Sequence, residues 1–255
     1  MKTTIRRKFL APVLAAATLC AAAGSALATP STQIWIPSTD VQAFKTLHLN
    51  VDSYIRTQND DVGNNPVYVV GPTVGVLPFE KVQAEVGFDL IYQGGPYGEA
   101  YNPYPFYGHG KLGTPEESLF KYSPAIAVGG YNFGTKTDLT NQNIVYGLVA
   151  KTIPVVGRLS AGYFVGNDKV LLDENGNSDE KGVLLSWDRT MTEISDKLWV
   201  AVDYQGSDSA VGALSFGASW AFAKNVSVIF GYDIYNNDKT GGKDTATLQV
   251  DINFP

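Results

Sequence analysis

The chain has 255 residues, with 19 lysines and arginines against 25 aspartates and glutamates, so its formal net charge at pH 7 is −6. This acidic balance argues against nucleic acid as a partner, because phosphate backbones attract basic surfaces. With a single cysteine, Cys20, the chain has no internal disulfide framework, so backbone pairing and side-chain packing must stabilise the fold.

Residues 1–28 have the three parts of a secretory signal peptide. They begin with a basic region that contains Lys2, Arg6, Arg7 and Lys8. An apolar stretch, 9–23, and a small-residue cleavage site at 26–28 follow. We therefore expect export and a mature chain that starts at Thr29. Removal of four basic residues and no acidic ones leaves 227 residues with a formal net charge of −10.

The mature chain has the pattern of strands and not of membrane helices. Residues 29–43 show no clear period, and we interpret them as an N-terminal extension. No later run of about 18 apolar residues is present, so no helix is expected to span a membrane. Instead, segments of about ten alternating residues recur across 44–255, separated by Gly, Asn, Asp and Pro clusters. A closed barrel is the other structure that can span a membrane, because hydrocarbon offers no partner to an open strand edge.

The alternation is most regular in the last segment, Thr245–Phe254, where every odd position is polar and every even position is apolar. Strand side chains point alternately to opposite sides, so one face of this segment is entirely apolar. The segment resembles the C-terminal strand of Gram-negative outer-membrane proteins, whose terminal aromatic belongs to the assembly signal. Pro255 after Phe254 departs from that pattern. The resemblance implies the cell outer membrane as location. It also implies the assembly machinery, membrane lipid and lipopolysaccharide as partners.

Loop lengths fix the number of strands. Eleven segments have the strand pattern, but an odd number conflicts with two termini on the periplasmic side. A twelfth strand at 106–113, followed by a short turn at 114–117, makes the inner turns short and the outer loops long. We therefore predict an all-β, antiparallel, up-and-down transmembrane barrel of 12 strands, with a tyrosine-rich outer loop at 94–105. The other strands are predicted at 46–56, 66–77, 82–90, 120–131, 143–152, 158–166, 182–189, 197–205, 210–222, 226–235 and 245–254.

The predicted inward face carries more acidic than basic side chains. Its bases are Lys111, Lys151 and Arg158. In a water-filled lumen such an excess favours cations and repels anions. The alternative is that these residues are paired in a polar plug, as in narrow barrels. The residues predicted to line the pore are Asp52, Glu85, Asp89, Arg158, Asp203, Asp233 and Asp251.

Catalytic and metal-binding alternatives have little support. Some 12-stranded outer-membrane proteins are lipases that use serine and histidine. Here His48 and Asp52 lie four residues apart on one strand, about 13 Å, which is too far for a hydrogen bond. No serine can be placed beside His48, and Asp251 is the only acidic residue that the closing strand brings towards it. Two isolated histidines without a nearby cysteine do not fit a structural zinc site. We expect no catalytic residue, metal or cofactor.

The chain as a whole resembles the porin-like class of Gram-negative outer-membrane proteins. The resemblance is architectural and rests on the signal peptide, the alternation and the terminal aromatic. It implies passive passage of small hydrophilic solutes or cations. Two alternatives are a closed structural or adhesive barrel with binding outer loops, and a membrane-embedded lipid hydrolase. We also consider that the extension 29–43 folds into the lumen as a plug.

Overall fold

The chain forms a closed barrel of 12 antiparallel strands in a computed structural model that describes residues 31–58, 66–93 and 102–254. Consecutive strands are neighbours, and the last strand pairs with the first from Leu47–Phe254 to Arg56–Thr245, which closes the barrel. This confirms the predicted fold class. The strands are β1 (Leu47–Arg56), β2 (Val67–Gly75), β3 (Gln83–Gln93), β4 (Phe106–Thr114), β5 (Ala125–Gly134), β6 (Asn141–Ile153), β7 (Gly157–Val165), β8 (Lys181–Thr190), β9 (Leu198–Gln205), β10 (Ala213–Ala223), β11 (Val226–Tyr235) and β12 (Thr245–Phe254).

Some predictions fall outside the described residues. These are the signal peptide 1–28, the mature terminus at Thr29, Pro255 and residues 94–101 of the tyrosine-rich loop. We call the end of the barrel where β1 begins and β12 ends the terminal end, and the opposite end the loop end. The antiparallel order places the turns 154–156 and 224–225 at the terminal end, and the longer segments 166–180 and 236–244 at the loop end.

The strand inferred from loop length is present as β4, but the boundary after it differs from the prediction. The turn covers 115–124, and β5 starts at Ala125 instead of 120. Two backbone hydrogen bonds close this turn: Glu117 N donates to Ser123 O at 3.0 Å and Ser123 N donates to Phe120 O at 2.9 Å. Pro124 follows and has no N–H for the ladder. Local turn bonds therefore replace strand pairing in this segment.

The outward face of the barrel is apolar along most strands. Large exposed apolar side chains include Val51, Ile55, Val86, Val128, Val145, Val149, Leu185, Phe216 and Leu248. A soluble protein rarely exposes such a continuous surface, whereas a transmembrane barrel needs it to contact lipid. The fold is therefore that of a transmembrane barrel.

No helix in the described part of the chain is long and apolar enough to cross a membrane.

Residues 31–43, which we call the plug, lie inside the barrel. Ile34 and Ile36 are 1% and 0% exposed. The plug turns back on itself where Gln33 N donates to Ile36 O at 2.8 Å. Next to it, Lys45 N donates to Gly75 O at 2.9 Å, and a side chain on Gly75 would collide with the plug backbone. The hypothesis that the extension enters the lumen agrees with this arrangement.

One side of the lumen, which we call the apolar half, is filled with apolar side chains around the plug. Ile36 packs in a cluster with Ile144, Tyr146, Leu148, Phe164, Leu171, Leu184 and Val211. Ile34 joins a second cluster with Trp199, Ala201 and Ile229. The barrel is therefore not an open pore on the side of β6–β9.

The apolar half explains why the inward placement of Lys151 was wrong. The buried, inward positions of β6 are all apolar or aromatic: Ile144, Tyr146, Leu148 and Ala150. Lys151 takes the opposite register, and its Nζ lies 2.9 Å from Glu116 Oε2 in the turn 115–124. Both faces of β6 carry apolar residues, because its inward face packs against the plug while Val145 and Val149 are exposed on its outward face, so alternation does not distinguish the two faces.

Candidate functional site

A cavity of about 260 Å³ lies between the plug and the strands around β1–β4 and β12. One buried water needs roughly 10–15 Å³ on this kind of measure, so the cavity has room for a small organic solute. Its described lining contains four carboxylates, from Asp52, Glu85, Asp89 and Asp251, and one lysine, Lys111. We call it the acidic cavity.

All seven residues predicted to line the pore lie at inward positions, but they divide into two groups. Asp52, Glu85, Asp89 and Asp251 line the acidic cavity. The other three, Arg158, Asp203 and Asp233, do not line this cavity, and the first two of them contact the plug. The periodicity therefore predicted the face of each side chain, and the role of the seven as pore-lining residues stays a prediction.

Asp203 on β9 and Arg158 on β7 hold the plug against the side of the lumen that these strands form. Asp203 Oδ2 accepts hydrogen bonds from Ile34 N at 2.8 Å and from Trp35 N at 3.1 Å. Arg158 donates to Asp40 Oδ2 in the plug at 2.6 Å and to Asp188 Oδ1 at 2.9 Å. These charge-assisted bonds satisfy backbone and side-chain groups of the plug that the barrel buries. Both residues anchor the plug in this structure.

Glu85 and Lys111 form a buried ion pair that also contacts the plug. Their atoms Oε1 and Nζ are 3.2 Å apart, and each side chain is 2% exposed. Glu85 Oε2 accepts a hydrogen bond from Gln42 N at 2.7 Å. Lys111 Nζ donates to the carbonyls of Ser31 and Ser38 at 3.1 and 3.3 Å. The only lysine of the described cavity lining is thus neutralised by Glu85.

Three cavity carboxylates remain without a lysine or arginine partner among the described contacts. Asn50 Nδ2 donates to Asp52 Oδ2 at 3.0 Å, but Asp52 Oδ1 accepts no hydrogen bond from the described residues. Asp251 Oδ1 accepts none either and lies 3.5 Å from His48 Nε2, although Asp251 is 1% exposed. The third, Asp89, contacts His109. The cavity therefore has an excess of carboxylates over the lysine and arginine side chains that contact them in the described residues.

The two histidines belong to hydrogen-bonded networks. His48 Nδ1 lies 3.1 Å from Asn253 Oδ1. His109 Nδ1 lies 3.0 Å from Asp89 Oδ2, and its Nε2 lies 2.8 Å from Thr73 Oγ1. This Asp–His–Thr order is that of a catalytic triad with threonine in place of serine. However, Thr73 is 2% exposed and faces the lumen, away from lipid.

No serine among the described residues is hydrogen-bonded to either histidine, as a serine lipid hydrolase would require. Within the described ranges there is also no group of three or more His, Cys, Asp or Glu side chains that could hold a metal ion. The described residues therefore form an acidic cavity, and no hydrogen bond among them joins a serine to a histidine, as the hydrolase hypothesis requires.

Aromatic and apolar side chains form a wall of the same cavity beside the carboxylates. Trp35, at the plug tip, packs edge-on against Tyr54 and Tyr235, with ring centroids 5.6 and 5.5 Å apart. Its Nε1 donates to Val211 O at 2.8 Å, which fixes the indole. Val67, Val69 and Ile91 complete this wall. Sequence analysis missed Trp35 because the extension has no period that would place its side chains; the isolated tryptophan was the available signal.

Comparisons with known proteins give structural neighbours alone. No protein-family model matches the sequence, and no curated protein matches it. One similar structure is the COG4313 outer membrane channel from Pseudomonas putida F1, with 11% identity, coverage of 84% of this chain and 97% of that chain, and a TM-score of 0.49. The NanC porin has 9% identity, covers 81% and 99%, and gives 0.46. Outer membrane phospholipase A from Escherichia coli has 7% identity, covers 84% and 94%, and gives 0.46. These neighbours are outer-membrane barrels, and none of these identities assigns the chain to a family.

Proposed function

We propose that the protein is a porin-like outer-membrane channel that passes small hydrophilic solutes and prefers cations. The observation that supports this proposal is the acidic cavity, with four carboxylates and one lysine in its described lining. Carboxylates inside a channel select by the sign of charge, and low-dielectric walls strengthen their field. We expect anions to be excluded from this side of the lumen.

The proposed path runs along the acidic half of the lumen, which we define as the side of β1–β4 and β12. It passes Asp52, Glu85, Asp89 and Asp251. Asp233 lies nearer the loop end, where its Oδ2 accepts a hydrogen bond from Thr245 Oγ1 at 2.7 Å. Arg158 and Asp203 act on the path indirectly by holding the plug. Of the seven predicted residues, we thus propose four in the acidic half for the path, Asp233 on the adjacent β11 for its continuation towards the loop end, and two for plug docking.

The plug is proposed to restrict this path. A mature chain from which residues 29–43 are deleted is expected to show a single-channel conductance in planar bilayers several times that of the full mature chain. The reason is that the deletion removes the side chains that narrow the lumen and leaves all 12 strands. Deletion of the four exposed residues 174–177, at the loop end, provides a control of similar kind. A refolded barrel that never conducts, with or without the plug, would contradict the channel proposal.

A closed structural or adhesive barrel is the second candidate. The buried Glu85–Lys111 pair and the plug anchored by Arg158 are the features that favour it, because both fill the lumen with satisfied contacts. Its outer loops would then contact partners or lipopolysaccharide. Silent bilayers from both the full chain and the plug deletion, together with binding of lipopolysaccharide, would support this candidate.

The proposed location and assembly follow from the barrel wall. β12 presents Leu248 and Phe254 outward, at 39% and 43% exposure. An apolar outward strand ending in an aromatic suits contact with membrane lipid and recognition by the outer-membrane assembly machinery. Replacement of Phe254 by serine should lower the amount of folded protein in the outer-membrane fraction, measured by the gel shift between heated and unheated samples. An unchanged yield would contradict this role of Phe254.

A further inference from the structure

We propose that the acidic cavity binds organic ammonium compounds that carry an apolar body, held between the carboxylates of β1 and β12 and the aromatic tip of the plug. This inference rests on the proposed channel function and names its solute class. The cavity would thereby bind one class of cation along the proposed path.

The cationic group is placed by the two carboxylates of Asp52 and Asp251. Asp52 Oδ1 and Asp251 Oδ1 accept no hydrogen bond from the described residues, although Asp251 Oδ1 lies 3.5 Å from His48 Nε2, and both carboxylates line the cavity. Asp52 lies opposite Gln249, and Asp251 lies opposite Asn50, so the two acids are diagonal neighbours on adjacent strands. Diagonal neighbours have Cβ atoms roughly 7–8 Å apart, a span in which one ammonium group can contact both side chains. A buried carboxylate without a partner is costly, and a bound cation removes that cost.

The body of the ligand is selected by the aromatic and aliphatic side chains that line the same cavity beside the carboxylates. Trp35 and Tyr54 bring aromatic rings to the cavity, and Val67, Val69 and Ile91 bring aliphatic groups. Aromatic faces attract organic cations, and aliphatic groups gain from contact with an apolar body. A hydrated inorganic ion would contact the carboxylates but would leave the apolar side chains in contact with water. An anion would meet carboxylates that have no lysine or arginine to balance them.

The plug is part of the proposed site. Ile34, Trp35 and Pro37 line the cavity from the plug side. Deletion of residues 29–43 should therefore weaken ligand binding while it raises conductance. These two opposite effects distinguish loss of the binding site from a change in the width of the channel.

Isothermal titration calorimetry of the refolded mature chain in detergent micelles tests the proposal, with benzyltrimethylammonium as the probe and empty micelles as the blank. Three matched compounds control for each part of the probe: tetramethylammonium lacks the apolar body, benzyl alcohol lacks the charge and benzenesulfonate reverses it. We expect benzyltrimethylammonium to bind at least about tenfold more tightly than each of the three. Equal affinity for benzyl alcohol, or tighter binding of benzenesulfonate, would overturn the proposal.

Variants locate the binding. Asp52→Asn and Asp251→Asn should each weaken binding of benzyltrimethylammonium by at least about tenfold, because each removes one of two charges that contact the cation. Asp168→Asn, in an exposed segment at the loop end, removes the same charge and should change nothing. Wild-type affinity in both cavity variants would overturn the site. If Asp251→Asn does not refold, Asp52→Asn and the series of four compounds on the unaltered chain still decide.

The failure of this inference can be distinguished from failure of the channel proposal. A chain that conducts cations but is neither bound nor blocked by benzyltrimethylammonium would overturn the solute class and leave the channel proposal standing. A chain that binds the probe but never conducts would leave the site standing and overturn the channel.

Discussion

The two halves of the lumen have the same lipid-facing exterior but opposite interiors. In the apolar half, Ile36 of the plug is packed among side chains such as Phe164 and Leu184, each 0% exposed. In the acidic half, the plug leaves a cavity of about 260 Å³ beside Asp52 and Asp251. The plug is thus packed among apolar side chains on one side and hydrogen-bonded to Glu85 and Lys111 on the other, where it leaves space beside the carboxylates.

The plug sequence suits this asymmetry. Its apolar Ile36 is buried in the apolar half, where each buried methylene contributes roughly 0.8 kcal/mol. Its backbone N–H groups at Ile34 and Trp35 are satisfied by Asp203, so entry into the lumen leaves these donors paired. The Trp35 ring then faces Tyr54 and Tyr235 on the other side. A short segment without secondary structure can therefore be held firmly inside the barrel.

Truncation in the apolar half should have the largest effect on stability. Phe164→Ala removes a fully buried ring from the cluster around Ile36, and we expect a loss of about 3–5 kcal/mol of unfolding free energy. Urea unfolding of the barrel in lipid vesicles measures it. The matched control is Phe216→Ala, on the outward face at 44% exposure, where lipid can fill the space. Equal losses in the two variants would show that the apolar half is not a packed core.

Loss of the Arg158 guanidinium should release the plug. Arg158→Met leaves Asp40 and Asp188 without this partner, and we expect docking of the plug to weaken by about 2–4 kcal/mol. Faster protease cleavage within residues 31–43 and a larger open fraction in bilayer recordings measure the release. Arg189→Met removes an arginine whose pair with Glu193 is more exposed, and it should leave both readouts unchanged. Wild-type protection of the plug in Arg158→Met would contradict the anchoring role.

The smallest effect is expected outside both halves, at the terminal end. Burial alone would raise the pKa of Glu116, but hydrogen bonds from Thr152 and Lys151 outweigh it and hold the pKa below its ordinary value. A carboxyl with a lowered pKa in the folded state contributes stability above its unfolded pKa and loses that contribution as the pH falls through the folded pKa. Glu116→Gln should therefore cost at most about 1 kcal/mol at pH 7, and less as the pH falls towards 3.

Thermal unfolding at the two pH values checks the Glu116 prediction. Glu80→Gln, at an exposed position in another turn of the terminal end, is the control and should have no effect at either pH. A difference between Glu116→Gln and the unaltered chain that grows towards pH 3 would contradict the sign.

The sequence predicts the barrel well because alternation and loop length are local or countable properties. Thr245–Phe254 carries its register in its own ten residues, and β4 follows from the requirement for an even number of strands. Side chains such as Asp52 and Asp251 were placed inward for the same reason. The boundary of β5 was missed because turn bonds within 115–124 compete with pairing, and alternation alone does not describe them.

The division of the lumen could not be predicted from local patterns. It depends on contacts between distant residues, such as Gln33 with Ser186 at 2.7 Å and Ile34 with Asp203 at 2.8 Å, each more than 150 positions apart. Alternation shows that a strand has two different faces, but β6 has apolar residues on both: Ile144 and Leu148 face the plug, and Val145 and Val149 are exposed on the outside. This is the reason that Lys151 was assigned to the wrong face.

The reversal potential of single channels in a potassium chloride gradient tests most directly the claim that the acidic half is the path for cations. The refolded mature chain should prefer potassium, and the double variant Asp52→Asn, Asp89→Asn should lose most of that preference while it keeps the barrel. Asp168→Asn, which removes an exposed charge, should retain the selectivity of the unaltered chain. Anion preference in the mature chain, or unchanged selectivity in the double variant, would contradict the account.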